Sequence, residues 1–248
     1  MIFAGNWKMQ MGFKQAVEFL SQFNKLIDKD SELKNFIFFP PANLSALFQQ
    51  ESFYWGGQNV YYKTEGAFTG EISAKVLKEM GASFCLLGHS ERRYSFGETE
   101  VEIEKKFSVL QKQALIPILC IGESLADRFD KNKTLMKQLF WIKNYNKYEN
   151  KIPFHPDRLP ADFKDIPFVI AYEPLWSIGT GDIPSAQEVD ETAQFLKDYL
   201  PSVKVFYGGS VNSKNIKNFS KSSFLDGFLV GGASLKAQSF YDLYKQYS

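Results

Sequence analysis

The chain has 248 residues, 29 basic and 28 acidic side chains, a formal net charge of +1 at pH 7 and 44% hydrophobic residues. That length fits one large domain as well as two small ones, and 24 phenylalanines predict a core rich in aromatic rings. The balanced charge gives no electrostatic reason to expect nucleic acid or a membrane surface as partner, so any bound anion must be held by a local site.

From the amino end, the first apolar run is Ile2–Asn6, and the opening Met1-Ile2-Phe3-Ala4-Gly5-Asn6-Trp7-Lys8 lacks the pattern of a signal peptide. Ala16, Leu20, Phe23 and Ile27 then share one helical face. A strand is expected at Phe36–Phe39, a weaker helical stretch at 44–50, a strand at 54–59 and another helical stretch at 71–80. Phe84–Leu87 reads as a strand, followed by a helical face of Ile103, Phe107, Leu110 and Ala114. Ile116–Ile121 precedes a helical stretch at 133–148. The stretch 144–167 carries Pro153, Pro156, Pro160 and Pro167 among polar residues and reads as a surface insertion, with His155 a solvated loop residue inside it. A strand at 168–172 follows, then a helix whose inner face is Val189, Ala193, Leu196 and Leu200. Ser185, with Glu188 three residues on, supplies its capping box. Strands at 203–207 and Gly227–Val230, with helical stretches at 212–220 and 238–247, complete the chain.

Most of these strands are continuous apolar runs, which suits parallel strands buried on both faces. Eight strands, each followed by a helix, predict an α/β fold in which a parallel sheet closes into an eight-stranded (β/α)8 barrel, one domain over residues 1–248. An open doubly wound sheet is the alternative architecture, but the first strand lacks a GxGxxG turn. Cys85 and Cys120 sit in apolar runs and read as buried thiols rather than as metal ligands. No apolar run approaches the length of a membrane span, so a reduced, cytoplasmic protein is expected.

Barrel active sites lie at the carboxyl ends of the strands. There the sequence collects Asn6-Trp7-Lys8, Gly88-His89-Ser90-Glu91-Arg92-Arg93, Glu173-Pro174, Gly208-Gly209-Ser210 and Gly231-Gly232. The two glycine pairs follow the seventh and eighth strands; a double glycine alone reads as a tight turn, but two on successive strands, without Cβ atoms and beside unpaired N–H donors, point to a phosphate site.

The segments Asn6-Trp7-Lys8-Met9, Gly66-Ala67-Phe68-Thr69-Gly70-Glu71, Gly88-His89-Ser90-Glu91-Arg92-Arg93, Ala171-Tyr172-Glu173-Pro174, Ile178-Gly179-Thr180-Gly181 and Tyr207-Gly208-Gly209-Ser210-Val211 stand in the order of the triosephosphate isomerase family's motifs. The chain resembles that family over essentially its full length. The resemblance implies a TIM barrel that interconverts dihydroxyacetone phosphate and D-glyceraldehyde 3-phosphate through an enediolate, with no cofactor and no metal. It places the enzyme in glycolysis, gluconeogenesis and the pentose phosphate pathway. Glu173 resembles the family's base, which moves a proton between neighbouring carbons. His89 resembles the electrophile, kept neutral by the helix start at Ser90, and Lys8 the fixed cation that stabilises oxyanion charge. Asn6 positions the substrate. The amides of Gly179, Ser210, Gly231 and Gly232 are the implied phosphate ligands. Glu91 is read as a supporting carboxylate that pairs with Lys8 or with a motif arginine.

The 174–182 stretch reads as a lid, stiffened by Pro174 and freed by Gly179 and Gly181. The chain departs from the family at Asp182, where lysine is usual, and at Gln10, Leu175 and Ser177. An acid at Asp182 is expected to weaken or slow closure over a dianion. The resemblance further implies a homodimer through the 60–71 loop between Val60 and Glu71, with Thr69 reaching the partner subunit's site. The alternatives are another phosphate-binding barrel enzyme and a non-catalytic barrel. A Schiff-base aldolase needs a buried strand lysine, and the strand candidates hold only Lys204, on the opposite rim.

Overall fold

In the computed structural model of the chain, the eight apolar runs hydrogen-bond in sequence order and close into a parallel barrel. The structure describes residues 1–27, 33–49, 51, 53–145, 163, 166–178 and 182–247. The strands are β1 (Ile2–Asn6), β2 (Phe36–Phe39), β3 (Tyr54–Gly57), β4 (Phe84–Leu87), β5 (Ile116–Ile121), β6 (Val169–Tyr172), β7 (Lys204–Tyr207) and β8 (Gly227–Val230). The helices among the described residues are α1 (Phe13–Leu26), α2 (Ala74–Glu79), α3 (Ser90–Ser95), α4 (Glu100–Lys112), α5 (Lys131–Tyr145), α6 (Ala186–Tyr199) and α7 (Ala237–Tyr247). None is long and apolar enough to cross a membrane.

Side chains alternate across each strand, and the two faces belong to two cores. Ile2 and Ala4 of β1, Ile37 and Phe39 of β2, Phe84 and Leu86 of β4, and Val169 and Ala171 of β6 fill the barrel interior. Phe3, Phe36, Phe38, Cys85 and Phe228 point outward into the layer between strands and helices. Burial on both faces is why these runs read as continuously apolar. The outward layer is aromatic as expected: Phe23 meets Phe36 and Phe38 edge-on at 4.9 and 5.3 Å. Cys85 and Cys120 are buried free thiols.

Several expectations need correction. The stretches expected as helices at 44–50 and 212–220 are tight 3-10 turns, Ala42–Phe48 and Ile216–Phe219. In the second, side chains compete with the helix ladder. Asn215 Oδ1 accepts from the Asn212 N–H at 2.9 Å, and Asn212 Oδ1 accepts from the Lys214 N–H at 2.9 Å. Ala114 is not on the face of α4, because the helix ends at Lys112 and Ala114 turns back at φ 52°. Strand β3 stops at Gly57, two residues short of expectation. The Ser185–Glu188 capping box is present, and Thr99 with Glu102 forms a second at the start of α4.

Most of the 144–167 stretch, with His155, lies outside the described residues. Phe163 within it is not a surface residue: it is fully buried and belongs to the barrel-interior core. Its ring meets Phe84 edge-on at 5.3 Å and Phe206 at 6.5 Å, closing the amino end of the barrel.

Candidate active site

The inward series of β1 and β6 each take one more step past the packed interior. Ile2 and Ala4 are followed by Asn6, and Val169 and Ala171 by Glu173. Period-two alternation therefore delivers an amide and a carboxylate to the carboxyl mouth. Both are buried, Glu173 at 2% exposure. Glycines on the neighbouring strand ends make the room. A Cβ at Gly208 would lie 2.8 Å from Glu173 Cγ, and one at Gly122 only 1.8 Å from the Glu173 carbonyl oxygen.

His89 caps α3, and the first N–H groups of that helix are spent on the site. The Ser90 N–H donates to Glu173 Oε2 at 3.1 Å, and the Glu91 N–H donates to His89 Nδ1 at 3.2 Å. A ring nitrogen that accepts carries no proton, so the imidazole is neutral with its hydrogen on Nε2. That nitrogen lies 3.4 Å from Glu173 Oε1. Arg93 fixes the approach to His89, donating from Nε to the Gly88 carbonyl at 2.6 Å and from Nη2 to the Cys120 carbonyl at 3.1 Å.

Lys8 holds a left-handed backbone, φ 50°, which a non-glycine residue adopts only under support. The support is Asn6 Oδ1, which accepts the Lys8 N–H at 3.0 Å, and Gln58 Nε2, which donates to the Lys8 carbonyl at 2.9 Å and the Phe39 carbonyl at 2.8 Å. The ammonium pairs with Glu91 Oε1 at 2.8 Å, so Glu91 serves Lys8 rather than a motif arginine. Partial burial alone would raise the Glu91 carboxyl, but the Lys8 hydrogen bond and charge hold it below its ordinary value.

A cleft of about 360 Å³ is lined by Asn6, Lys8, His89, Glu173, Ser210, Gly231 and Gly232. Seven residues singled out in the sequence therefore face one cavity. The eighth, Gly179, lies outside the described residues, as do Thr180 and Gly181. Sequence reasoning missed Gln58, whose only signal is an amide side chain just past the end of β3. It also missed the clamp on the turn after Glu173: Glu123 Oε1 accepts from Tyr172 OH at 3.0 Å and from Trp176 Nε1 at 2.8 Å. Cys120 adjoins the carboxylate; burial first, then the Glu173 charge and hydrogen bond, push its thiol well up, so it stays protonated. Among the described residues no group of His, Cys, Asp and Glu side chains could hold a metal ion.

The profile of a protein family described as triosephosphate isomerase matches residues 1–247. A triosephosphate isomerase of Lactobacillus gasseri is 38% identical, covering 98% of this chain and 96% of the relative. One from Bdellovibrio bacteriovorus is 38% identical over 98% of both chains. One from Synechocystis is 39% identical over 96% of this chain and 95% of the relative.

Proposed function

Since the chain belongs to the triosephosphate isomerase family and so interconverts dihydroxyacetone phosphate and D-glyceraldehyde 3-phosphate, we propose that Glu173, His89 and Lys8 divide the chemistry among them. The Glu173 carboxylate takes a proton from the carbon beside the carbonyl. The electron pair of the broken C–H bond forms the enediolate double bond, and the carbonyl oxygen gains negative charge. His89 Nε2–H and the Lys8 ammonium stand at the same cleft to receive that charge. Glu173 then returns the proton to the neighbouring carbon; the hydroxyl proton passes from that end's oxygen to the charged oxygen by way of His89 Nε2, and the other carbonyl forms. No net oxidation occurs and no cofactor is required.

The observation that carries this reading is the 3.4 Å approach of a neutral imidazole nitrogen to a buried carboxylate across one cleft. Such a pair has little packing use, because burying a carboxylate costs several kcal/mol unless hydrogen bonds satisfy it. The amides of Ser210, Gly231 and Gly232, with that of Gly179, take the substrate's phosphate group. The rival aldolase chemistry has no support, since Lys204 opens β7 at the opposite end and its Nζ lies 3.5 Å from Asp226 Oδ1.

The working unit is a homodimer in the cytoplasm. Beside Lys8 and His89 lies a second cavity of about 680 Å³, lined also by Met9, Glu71, Arg92 and Phe96. Met9 and Phe96 expose 95% and 71% of their surface, a lining that suits the 60–71 loop of a second copy. A coupled assay of dihydroxyacetone phosphate conversion tests the activity, and absence of turnover would defeat it. Sedimentation at assay concentrations tests the dimer, and a monomer with full activity would remove it.

A further inference from the structure

Ser177 closes the short turn Leu175–Ser177 that follows Glu173 and Pro174, and it is fully buried. A buried hydroxyl needs partners, and its arrangement here does more than satisfy itself. Ser177 Oγ donates to the Pro174 carbonyl at 2.9 Å, the same oxygen that accepts the Ser177 N–H at 2.9 Å. The Ser177 carbonyl in turn accepts from Ser210 Oγ at 3.0 Å. One residue thus ties the peptide carrying the carboxylate to the residue whose amide faces the phosphate cleft. The Ser210 carbonyl is held from the other side by Asn215 Nδ2 at 2.8 Å.

The same node touches the glycine pair from below. Tyr207 is fully buried, and a Cβ on Gly209 would lie 2.2 Å from its hydroxyl oxygen. That hydroxyl has no hydrogen-bond partner among the described residues. Burial pushes the phenol up and the neighbouring Ser177 hydroxyl opposes the push, although the two oxygens fall short of hydrogen-bond geometry. Two hydroxyls from different strand ends therefore meet beneath the phosphate loop, and Ser177 is the only one of the pair anchored to the turn after Glu173.

We propose that Ser177 is a positioning residue for phosphate binding, acting through Ser210 to set the anion site at a fixed place relative to Glu173. This rests on the reading of Ser210 as a phosphate ligand. Ser177 does not itself line the cleft, so a change in phosphate affinity on removal of its hydroxyl separates this role from packing.

Calorimetric titration of the purified protein with inorganic phosphate tests the role without needing turnover. A neutral buried hydrogen bond corresponds to about a fivefold change in an equilibrium constant. Ser177→Ala is therefore expected to weaken phosphate binding about fivefold. It should raise KM for dihydroxyacetone phosphate by a similar factor, with kcat within about twofold. Ser177→Cys replaces the hydroxyl with a slightly larger, weaker donor and should fall between. If Ser177 acts through Ser210, the Ser177→Ala/Ser210→Ala double variant binds phosphate no more weakly than the weaker single variant. Phosphate affinity within twofold of wild type in Ser177→Ala, or fully additive losses in the double variant, overturns the proposal. A fall in melting temperature with affinity unchanged does the same, since that marks packing alone. Failure of the wild-type isomerase assay overturns the catalytic reading and leaves the titration to judge Ser177.

Discussion

The two ends of the barrel are built from the same strands with the same alternation, yet one is sealed and the other is open. At the amino end the inward positions are large and apolar: Ile2, Phe84, Ile116, Val169 and Phe206, with Phe163 laid across them. Midway they become smaller, as at Ala4, Ala171 and Cys120. At the carboxyl end they turn polar or vanish, as at Asn6, Glu173 and the glycines at 208 and 231. A gradient of side-chain size along one face of each strand is enough to make a floor and a mouth. The floor gains free energy from close packing. The mouth holds a buried carboxylate that accepts from the Ser90 N–H and lies 3.4 Å from His89 Nε2. Stability and chemistry are thus separated along the barrel axis, and substitutions at either end should report only one of them.

The largest effect is expected at the mouth. Glu173→Asp retracts the carboxylate by one methylene, and Glu173→Gln removes its basicity. Either should cut kcat by about a thousandfold or more, within the range that a positioned acid–base group supplies. The melting temperature should hold in Glu173→Asp, which keeps the charge, and hold or rise in Glu173→Gln, which relieves it. Circular dichroism melts beside the isomerase assay check both halves. Near-normal turnover in either variant would remove Glu173 from its role.

The floor gives the opposite signature. Phe163→Ala should cost about 3–5 kcal/mol of unfolding free energy, because the ring is fully buried and the cavity can collapse only partly. The kcat of the folded fraction should stay within about twofold. Urea unfolding and assay below the transition measure the two separately. Stability close to wild type would show that the amino end is closed by something other than this ring.

Phe163 also marks where sequence reading stopped. It sits in a proline-bearing polar stretch with no apolar periodicity, and its partners Phe84 and Phe206 come from strands remote in sequence. Nothing local signals a long-range contact of that kind. Strand positions were legible because burial on both faces leaves apolar runs, and β1, β2, β4, β5 and β8 have the expected bounds. Glu173 and Asn6 were legible because each ends such a run. The partner of Glu91 was not: Lys8 and the motif arginines were equally open until the chain reversal at Lys8 brought its ammonium to 2.8 Å. The end of α4 was missed for a related reason, since Ala114 carries its positive φ without a glycine to announce it.

His89→Gln is the next step down in size. The amide can still donate toward the cleft, but it lacks the ring geometry that the Glu91 N–H fixes through Nδ1. A loss of about a hundredfold in kcat is expected, typical of one oxyanion donor, with melting unchanged. Turnover equal to wild type would reassign the electrophile, and a large loss of stability would mean that His89 serves α3 rather than the reaction.

The smallest effect tests whether the separation between the two ends is complete, because Glu91 belongs to the mouth yet bears a charge coupled to folding. Partial burial pushes its carboxyl up, but the Lys8 hydrogen bond and charge hold it below its ordinary value. A depressed carboxylate binds fewer protons in the folded than in the unfolded state. Its contribution to stability is therefore complete above the unfolded carboxylate range and is lost as pH falls through the lower folded value. The pair is substantially exposed, at 25% for the Lys8 side chain and 50% for that of Glu91, so the contribution is less than about 1 kcal/mol. Glu91→Gln should flatten the acid side of a plot of melting temperature against pH and leave the neutral plateau nearly level with wild type. Turnover should fall only a few-fold, through a Lys8 ammonium that has lost its anchor. An acid limb identical to wild type would mean that the ion pair contributes nothing to folding, and the mouth would then be free of any share in stability.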